Sequence, residues 1–139
     1  ALGTYSLALV ASPEIRRQYP DFITADQNIP VPFIINEPSC VFRQIFERYL
    51  GQKSIALDHT IELWSIPTIK NLVKSDVGIS YLPRFSVQAE LAEGSLAEIP
   101  TELTGTTITA VCGHHKNKWL SPLMQLFLEL CTDKIRSEV

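Results

Sequence analysis

The sequence predicts an α/β domain with a mostly parallel sheet flanked by helices, and three observations carry that expectation. Residues 62–83, ELWSIPTIKNLVKSDVGISYLP, compress a strand end, a helix and a second strand into short joints, which is the pattern of a parallel crossover. Phe42, Ile45, Phe46, Tyr49 and Leu50 fall at i, i+3, i+4, i+7 and i+8, the densest helical periodicity in the chain. Residues 5–11 and 106–112 are alternating or β-branched and read as strands. The 139 residues make one domain's worth of chain, with one core as the default.

Composition narrows the function classes. Hydrophobic residues are 45% and charged residues 19%, ordinary for a globular domain. With 12 basic against 15 acidic residues and no dense basic run, direct nucleic-acid binding by this segment is not expected, because phosphate attraction needs clustered Lys and Arg. No window of about 18 residues is uninterruptedly apolar, and the opening ALGTYSLALVASPE lacks a basic stretch, so neither a membrane span nor a secretion signal is visible, and an already processed protein would look the same. Cys40, Cys112 and Cys131 are far apart and odd in number, which favours reduced thiols in a cytoplasmic setting. The chain starts almost directly in a strand pattern without Met, and is expected to be part of something longer.

In order along the chain, residues 5–11 form a strand closed by Ser12 and Pro13, which also open a short helical turn over 14–19 that Pro20 breaks. Thr24 with Gln27 has capping-box spacing, predicting a second short helix before Pro30 and Pro32. Residues 33–35 are the next strand, and the periodic helix over 42–50 is stopped by Gly51. Residues 55–63 alternate as a single strand with one polar side, placed toward a sheet edge. Ser65 then caps a helix with Pro67 in its first turn and Ile66, Ile69, Leu72 and Val73 on one face. Asp76 and Gly78 can supply a positive φ before the buried strand at 79–82. A helix over 84–92 ends at Gly94, brief strands follow at 96–99 and 106–112, and Ser121 with Pro122 opens a final helix over 121–136. The apolar residues at 123–130 cover more than one face of that helix, so part of it should pack on something besides its own sheet.

Candidate chemistry centres on the two strand-to-helix joints, 35–41 and 63–68, because parallel strands put both at one carboxyl edge, where open α/β sheets bind ligands. Two helix N-termini with Asn36, Ser39, Ser65 and Thr68 as side-chain donors suit a carboxylate or other small anion. Taken singly, Ser39 and Ser65 are better explained as caps; their coincidence at one edge brings ligand binding level with that reading. Cys40 in a first helical turn could have a lowered pKa, against the simpler role of a buried core thiol. His114 and His115 beside Lys116 and Lys118 lack metal-ligand spacing and read as a solvated turn, and Asp58 with His59 as a surface pair. Trp64 is the one aromatic placed near a pocket.

The run TIKNLVKSDVGISYLP at 68–83, followed by Glu90-Leu91, Gly94-Ser95-Leu96, Lys116, Lys118, Ser121-Pro122 and Phe127, resembles the effector-binding domain of LysR-type transcriptional regulators. The earlier LALVASPE and ITADQNIPVPFI segments are similar too, so the resemblance covers nearly the whole chain in order. It implies a two-lobed, periplasmic-binding-protein-like (type 2) fold, of which residues 1–139 are one Rossmann-like lobe with crossing strands near 5–11 and 106–112. It also implies a DNA-binding domain and most of a first lobe outside this chain. Its second-lobe ligand contacts match residues 36–39 and, less regularly, 64–68, giving Asn36, Glu37, Ser39, Cys40, Trp64, Ser65 and Thr68 as the expected effector-binding set. The family usually has Gly where this chain has Asp76, and Trp64 and Pro67 are atypical of it.

The expected function is therefore a non-enzymatic sensor of a small anionic metabolite, without cofactor or metal. It would be homo-oligomeric, free of membrane, and in contact with DNA only through a domain outside this chain. The alternatives are one lobe of a solute-binding transport receptor and, last, an enzyme on the same scaffold, for which neither a nucleophile with a base nor a metal set is visible.

Overall fold

The structure is a computed structural model; it describes the chain except residues 21, 23, 27, 58, 104, 138 and 139 and the side chains of 28, 29, 57 and 134–137. Two compact units emerge, one of residues 6–106 and one of residues 1–5 with 107–139.

The larger unit is a three-layer α/β arrangement. Strand β1 (Gly3–Ala11) runs antiparallel to β6 (Ser80–Pro83), with Leu9 opposite Tyr81, and to β7 (Ala97–Ile99), with Leu9 opposite Ile99. Next to them are parallel pairs: β2 (Asn28–Ile29) with β4 (Ala56–Leu57), and β3 (Phe33–Ile35) with β5 (Thr60–Glu62). Phe33 bridges in parallel to Ile79, so the chain segment leading into β6 flanks β3 on its other side. The crossover predicted from residues 62–83 is thus present, since β5 and the segment at Ile79 both run parallel to β3, while residues 80–83 pair antiparallel with a different neighbour, β1.

Strand alternation sorts the core onto two faces. Leu9, Ala11, Phe33, Ile35 and Tyr81 pack with Ile15 of α1 (Pro13–Gln18) and with Phe46, Tyr49 and Leu50 of α2 (Val41–Gln52). Ala8, Val10, Ile34 and Leu82 pack on the opposite face with Ile69 and Val73 of α3 (Ile66–Lys74) and Val87 of α4 (Arg84–Glu93). Phe46 sits between Phe33 and Tyr81, with ring centroids 4.9 and 4.8 Å away. Burial drives the Tyr81 phenol up to about 12.

Several local expectations need correction. The strand read over 55–63 is two short pieces, β4 and β5. β4 pairs with β2 and β5 with β3, and between Ile29↔Leu57 and Phe33↔Thr60 the register shifts by one residue, so the ladder comes in two steps. Thr24 to Asp26 form a turn and Asn28–Ile29 is strand where a short helix was expected; Gln27, half of the supposed capping pair, lies outside the described residues. Asp76 takes the left-handed conformation (φ 61°) and accepts a hydrogen bond from the Ser12 hydroxyl, joining the end of α3 to the end of β1. Gly78 serves another purpose: a Cβ there would stand 2.2 Å from the Pro32 carbonyl oxygen, the group to which the Ile79 amide donates at 3.0 Å.

In the smaller unit, β8 (Thr107–Ala110) pairs with β1, whose first residues belong to this unit, and the Leu2 amide donates to the Ala110 carbonyl at 2.7 Å. Helix α5 (Pro122–Ser137) opens at Ser121, whose hydroxyl accepts from the Met124 amide at 3.3 Å. Leu123, Leu126, Phe127 and Leu130 are exposed along it, the surplus apolar face expected from the sequence.

Two stability predictions follow from this packing. Gly78→Ala forces the β3 contact apart and should cost about 1–3 kcal/mol in urea unfolding, as overpacked sites do; a loss under about 0.5 kcal/mol, typical of harmless surface changes, would contradict it. Lys70 of α3 ties α4 by bonding both Glu90 and the Ser86 carbonyl. That bond holds the Glu90 carboxyl below its ordinary value against the opposing effect of burial. A carboxyl lowered by folding stabilises above its unfolded pKa and ceases to as pH falls through the lowered one. Lys70→Met should therefore be about 1 kcal/mol less stable at pH 7, with the gap closing below the ordinary carboxyl value of 4.5. A gap that stays constant into acid would exclude this pair as its source.

Candidate functional site

The pairing of β3 with β5 fixes the site. Ile35 lies opposite Glu62, and the Leu63 amide donates to the Ile35 carbonyl at 2.8 Å, so the chain leaves both strands at the same edge. One exit, residues 36–40, runs into α2; the other, residues 63–65, runs into α3. The predicted residues are brought together in two neighbouring groups: Asn36, Glu37, Ser39 and Cys40 at the first joint, and Trp64, Ser65 and Thr68 at the second.

At the first joint Asn36 is buried and, among the described residues, its side-chain oxygen has no hydrogen-bond partner. Glu37 is half-buried, and its carbonyl accepts from the Cys40 amide at 3.0 Å. The cap expected at Ser39 is instead Cys40, in an extended conformation and without a side-chain capping bond; Ser39 is exposed. Burial pushes the Cys40 thiol up, outweighing the nearby amides of Arg43 and Phe42, while the Glu37 charge acts in the same direction as burial. The lowered thiol pKa considered from its place near a helix start is therefore not found, and the core-thiol reading stands.

The second joint is built differently. Ser65 caps α3, its hydroxyl oxygen accepting from the Thr68 amide at 3.4 Å and the Thr68 hydroxyl at 3.0 Å. Pro67 occupies the first turn, which holds no acidic residue. Trp64 is 78% exposed, standing free beside the joint.

Arg43 binds the two joints into one piece. Its guanidinium donates to the Asn36 carbonyl at 2.8 Å, to Glu62 at 2.9 Å and to Glu47 at 2.8 Å. Sequence reasoning missed it: only the i, i+4 partner Glu47 is visible in the sequence, while Glu62 and the Asn36 carbonyl come within reach through the sheet.

Elsewhere, the His114–His115 loop bonds mainly to itself, His115 accepting from the Asn117 amide at 3.3 Å. Among the described residues no three His, Cys, Asp or Glu side chains could hold a metal ion. Asp58 of the supposed Asp58–His59 pair lies outside the described residues. A cleft of about 510 Å³ in the larger unit lies away from the joints, beside the Arg84–Glu98 ion pair and Thr101.

The model of the LysR substrate binding domain matches residues 1–136. The chain belongs to the LysR substrate-binding domain family. A LysR-domain relative, the HTH-type transcriptional regulator YfiE of Escherichia coli K12, is 50% identical over 128 residues, covering 92% of this chain and 43% of its own length. This LysR domain spans less than half the length of the first curated relatives it matches. The regulatory domain of HypT from Salmonella typhimurium in its apo form superposes with a TM-score of 0.73 at 14% identity, covering 98% of this chain and 64% of that one. The CcmR regulatory domain of Synechocystis PCC6803, in complex with 2-PG, superposes at 0.66 with 18% identity, covering 96% and 64%. Such identities speak for the fold, which is the expected periplasmic-binding-protein-like α/β type. The relatives are transcriptional regulators, which sets the transport-receptor alternative aside. No helix among the described residues is long and apolar enough to cross a membrane.

The two extreme thiol environments give a direct check. Under native conditions at pH 8, iodoacetamide should alkylate exposed Cys112 first and buried Cys40 last, with Cys40 at least about tenfold slower. Equal rates would show that the first joint is open and its thiol unperturbed.

Proposed function

We propose that this LysR domain senses a small anionic metabolite at the paired joints, with Asn36, Glu37, Ser39, Cys40, Trp64, Ser65 and Thr68 forming its share of the site. Residues 1–139 supply one effector-binding lobe; a further lobe and a DNA-binding domain belong to the intact regulator, as the HTH-type relatives suggest. Occupancy shifts the balance between two arrangements of the intact protein by the difference in effector affinity for the two. DNA binding by a cytoplasmic homo-oligomer then changes without any chemical step. The observation that carries this reading is the placement of two strand-to-helix exits side by side and clamped by Arg43. Two neighbours of the same fold lend support through what they hold, CcmR 2-PG and HypT a bromide ion.

The test is a thermal-shift screen of the intact regulator against small carboxylates, phosphates and 2-PG, followed by titration of each stabilising compound with Trp fluorescence. Ser65→Ala should weaken binding roughly 10- to 100-fold, the equivalent of one hydrogen bond to a charged group. The lost cap should lower the stability of the unliganded protein by about 1 kcal/mol. Trp64→Phe should reduce the fluorescence change on binding, since Trp64 stands exposed beside the second joint. A ligand that binds parent, Ser65→Ala and Asn36→Ala with equal affinity would place the effector elsewhere.

A further inference from the structure

We propose that the larger unit binds an uncharged, hydroxyl-rich ligand, a sugar or other polyol, in the cleft beside the Arg84–Glu98 ion pair. This site is separate from the paired joints and does not depend on the effector-site reading above.

The cleft follows from the order of the sheet. β1 lies between β6 and β7, with Leu7 opposite Pro83 and Leu9 opposite Ile99. The ends of β6 and β7 therefore flank the start of β1, and Arg84, the residue after Pro83, reaches across to bond Glu98 of β7. Beyond Ile99 the chain continues through residues 100–106, which supply the rest of the lining. Two bonds hold that loop in shape: the Leu103 amide donates to the Thr101 hydroxyl oxygen at 3.3 Å, and the Thr106 amide to the Leu103 carbonyl at 3.1 Å. The hollow of about 510 Å³ is thus built before any ligand arrives, and its size suits a small molecule. Every residue lining it belongs to the larger unit.

The lining selects the chemistry. Leu7 and Leu103, both packed against the core, present apolar surface. Ser6, Thr101 and Thr106 bring hydroxyls. The Thr101 oxygen already accepts from the Leu103 amide, so its proton is left to donate. Among the described residues of the lining, Arg84 and Glu98 are the only charges, and they cancel. A charged ligand is attracted by one and repelled by the other. A hydroxyl both accepts and donates, so neighbouring hydroxyls can take a proton from the guanidinium and give one to the carboxylate without breaking the pair. The side chains are 46% and 38% exposed, which leaves both within reach. A sugar ring adds C–H surface for the two leucines.

The position of the cleft gives such a ligand leverage. Ser6 is the first residue of the larger unit and Thr106 its last, so both chain connections to the smaller unit leave from the lining. One bound molecule touches both.

The experiment is isothermal titration of the intact regulator with the common aldohexoses, and with the hexuronic acids and 2-amino sugars derived from them. At least one neutral sugar should bind with a Kd of about 1 mM or tighter. Its charged derivatives should bind at least about tenfold more weakly, the mark of charge rejected on both sides. Glu98→Gln leaves Arg84 alone and should turn the preference toward the uronic acid; Arg84→Gln leaves Glu98 alone and should turn it toward the amino sugar. Both variants should melt with the parent, because a half-exposed ion pair contributes little to stability, so the two opposite shifts report contact with the ligand and not loss of folding. A charged derivative that binds the parent as tightly as its neutral sugar would overturn the proposal. So would a preference for neutral sugar that neither substitution moves, which places the ligand elsewhere, or a panel in which no neutral sugar binds.

Discussion

The pairing of β3 on both of its edges is the constraint on which the rest of the larger unit depends. Its three residues are buried on both faces, so every backbone group must find a partner within the sheet. The Phe33 amide donates to the His59 carbonyl, the Ile34 amide to Ile79, and the Ile35 carbonyl accepts from Leu63. On the Ile79 side the approach is so close that only glycine fits at Gly78. With β3 held in this way, the exits of β3 and β5 cannot lie anywhere but side by side, and α2 and α3 are delivered to opposite faces of the same sheet.

That placement brings together the residues of the proposed site, which would otherwise be unremarkable loop positions. Arg43 reaches from α2 to the Asn36 carbonyl and to Glu62, so one side chain ties the two exits together. A single long side chain does this because guanidinium offers several donors in a fixed plane. Neutralising Glu62 with the same group that holds Asn36 also divides the charge of the edge: Glu37 remains at one exit and the helix start at the other. A sensor gains from such rigidity, because a ligand changes a conformational balance only through contacts that differ between states. Contacts made to a rigid edge leave the change to occur elsewhere in the intact protein.

Much of this was legible in the sequence. The α2 periodicity, the Ser65 cap, the left-handed Asp76, the Gly94 stop and the neighbouring exits are local or nearly local signals, and local physics writes them into residue spacing. Three things were not legible. Ser39 looked like the cap of α2, but the chain turns one residue later, where Cys40 is buried under the helix start. The strand over 55–63 looked continuous, yet its pairing with β2 and β3 comes in two pieces. The strand after Asp76 was read as parallel and does run parallel to β3, but its antiparallel partner β1, distant in the sequence, left no mark in the local spacing.

The sequence by itself determined the longer elements, the faces α2 and α3 bury and that two helix starts meet one sheet edge, because periodicity and caps depend on neighbours a few positions away. The tertiary structure alone decided the chemistry of that edge. Whether Asn36 finds a partner, which groups Arg43 occupies, and why Gly78 admits no side chain all depend on atoms brought together from distant parts of the chain. Spacing in sequence carries no record of such long-range contacts.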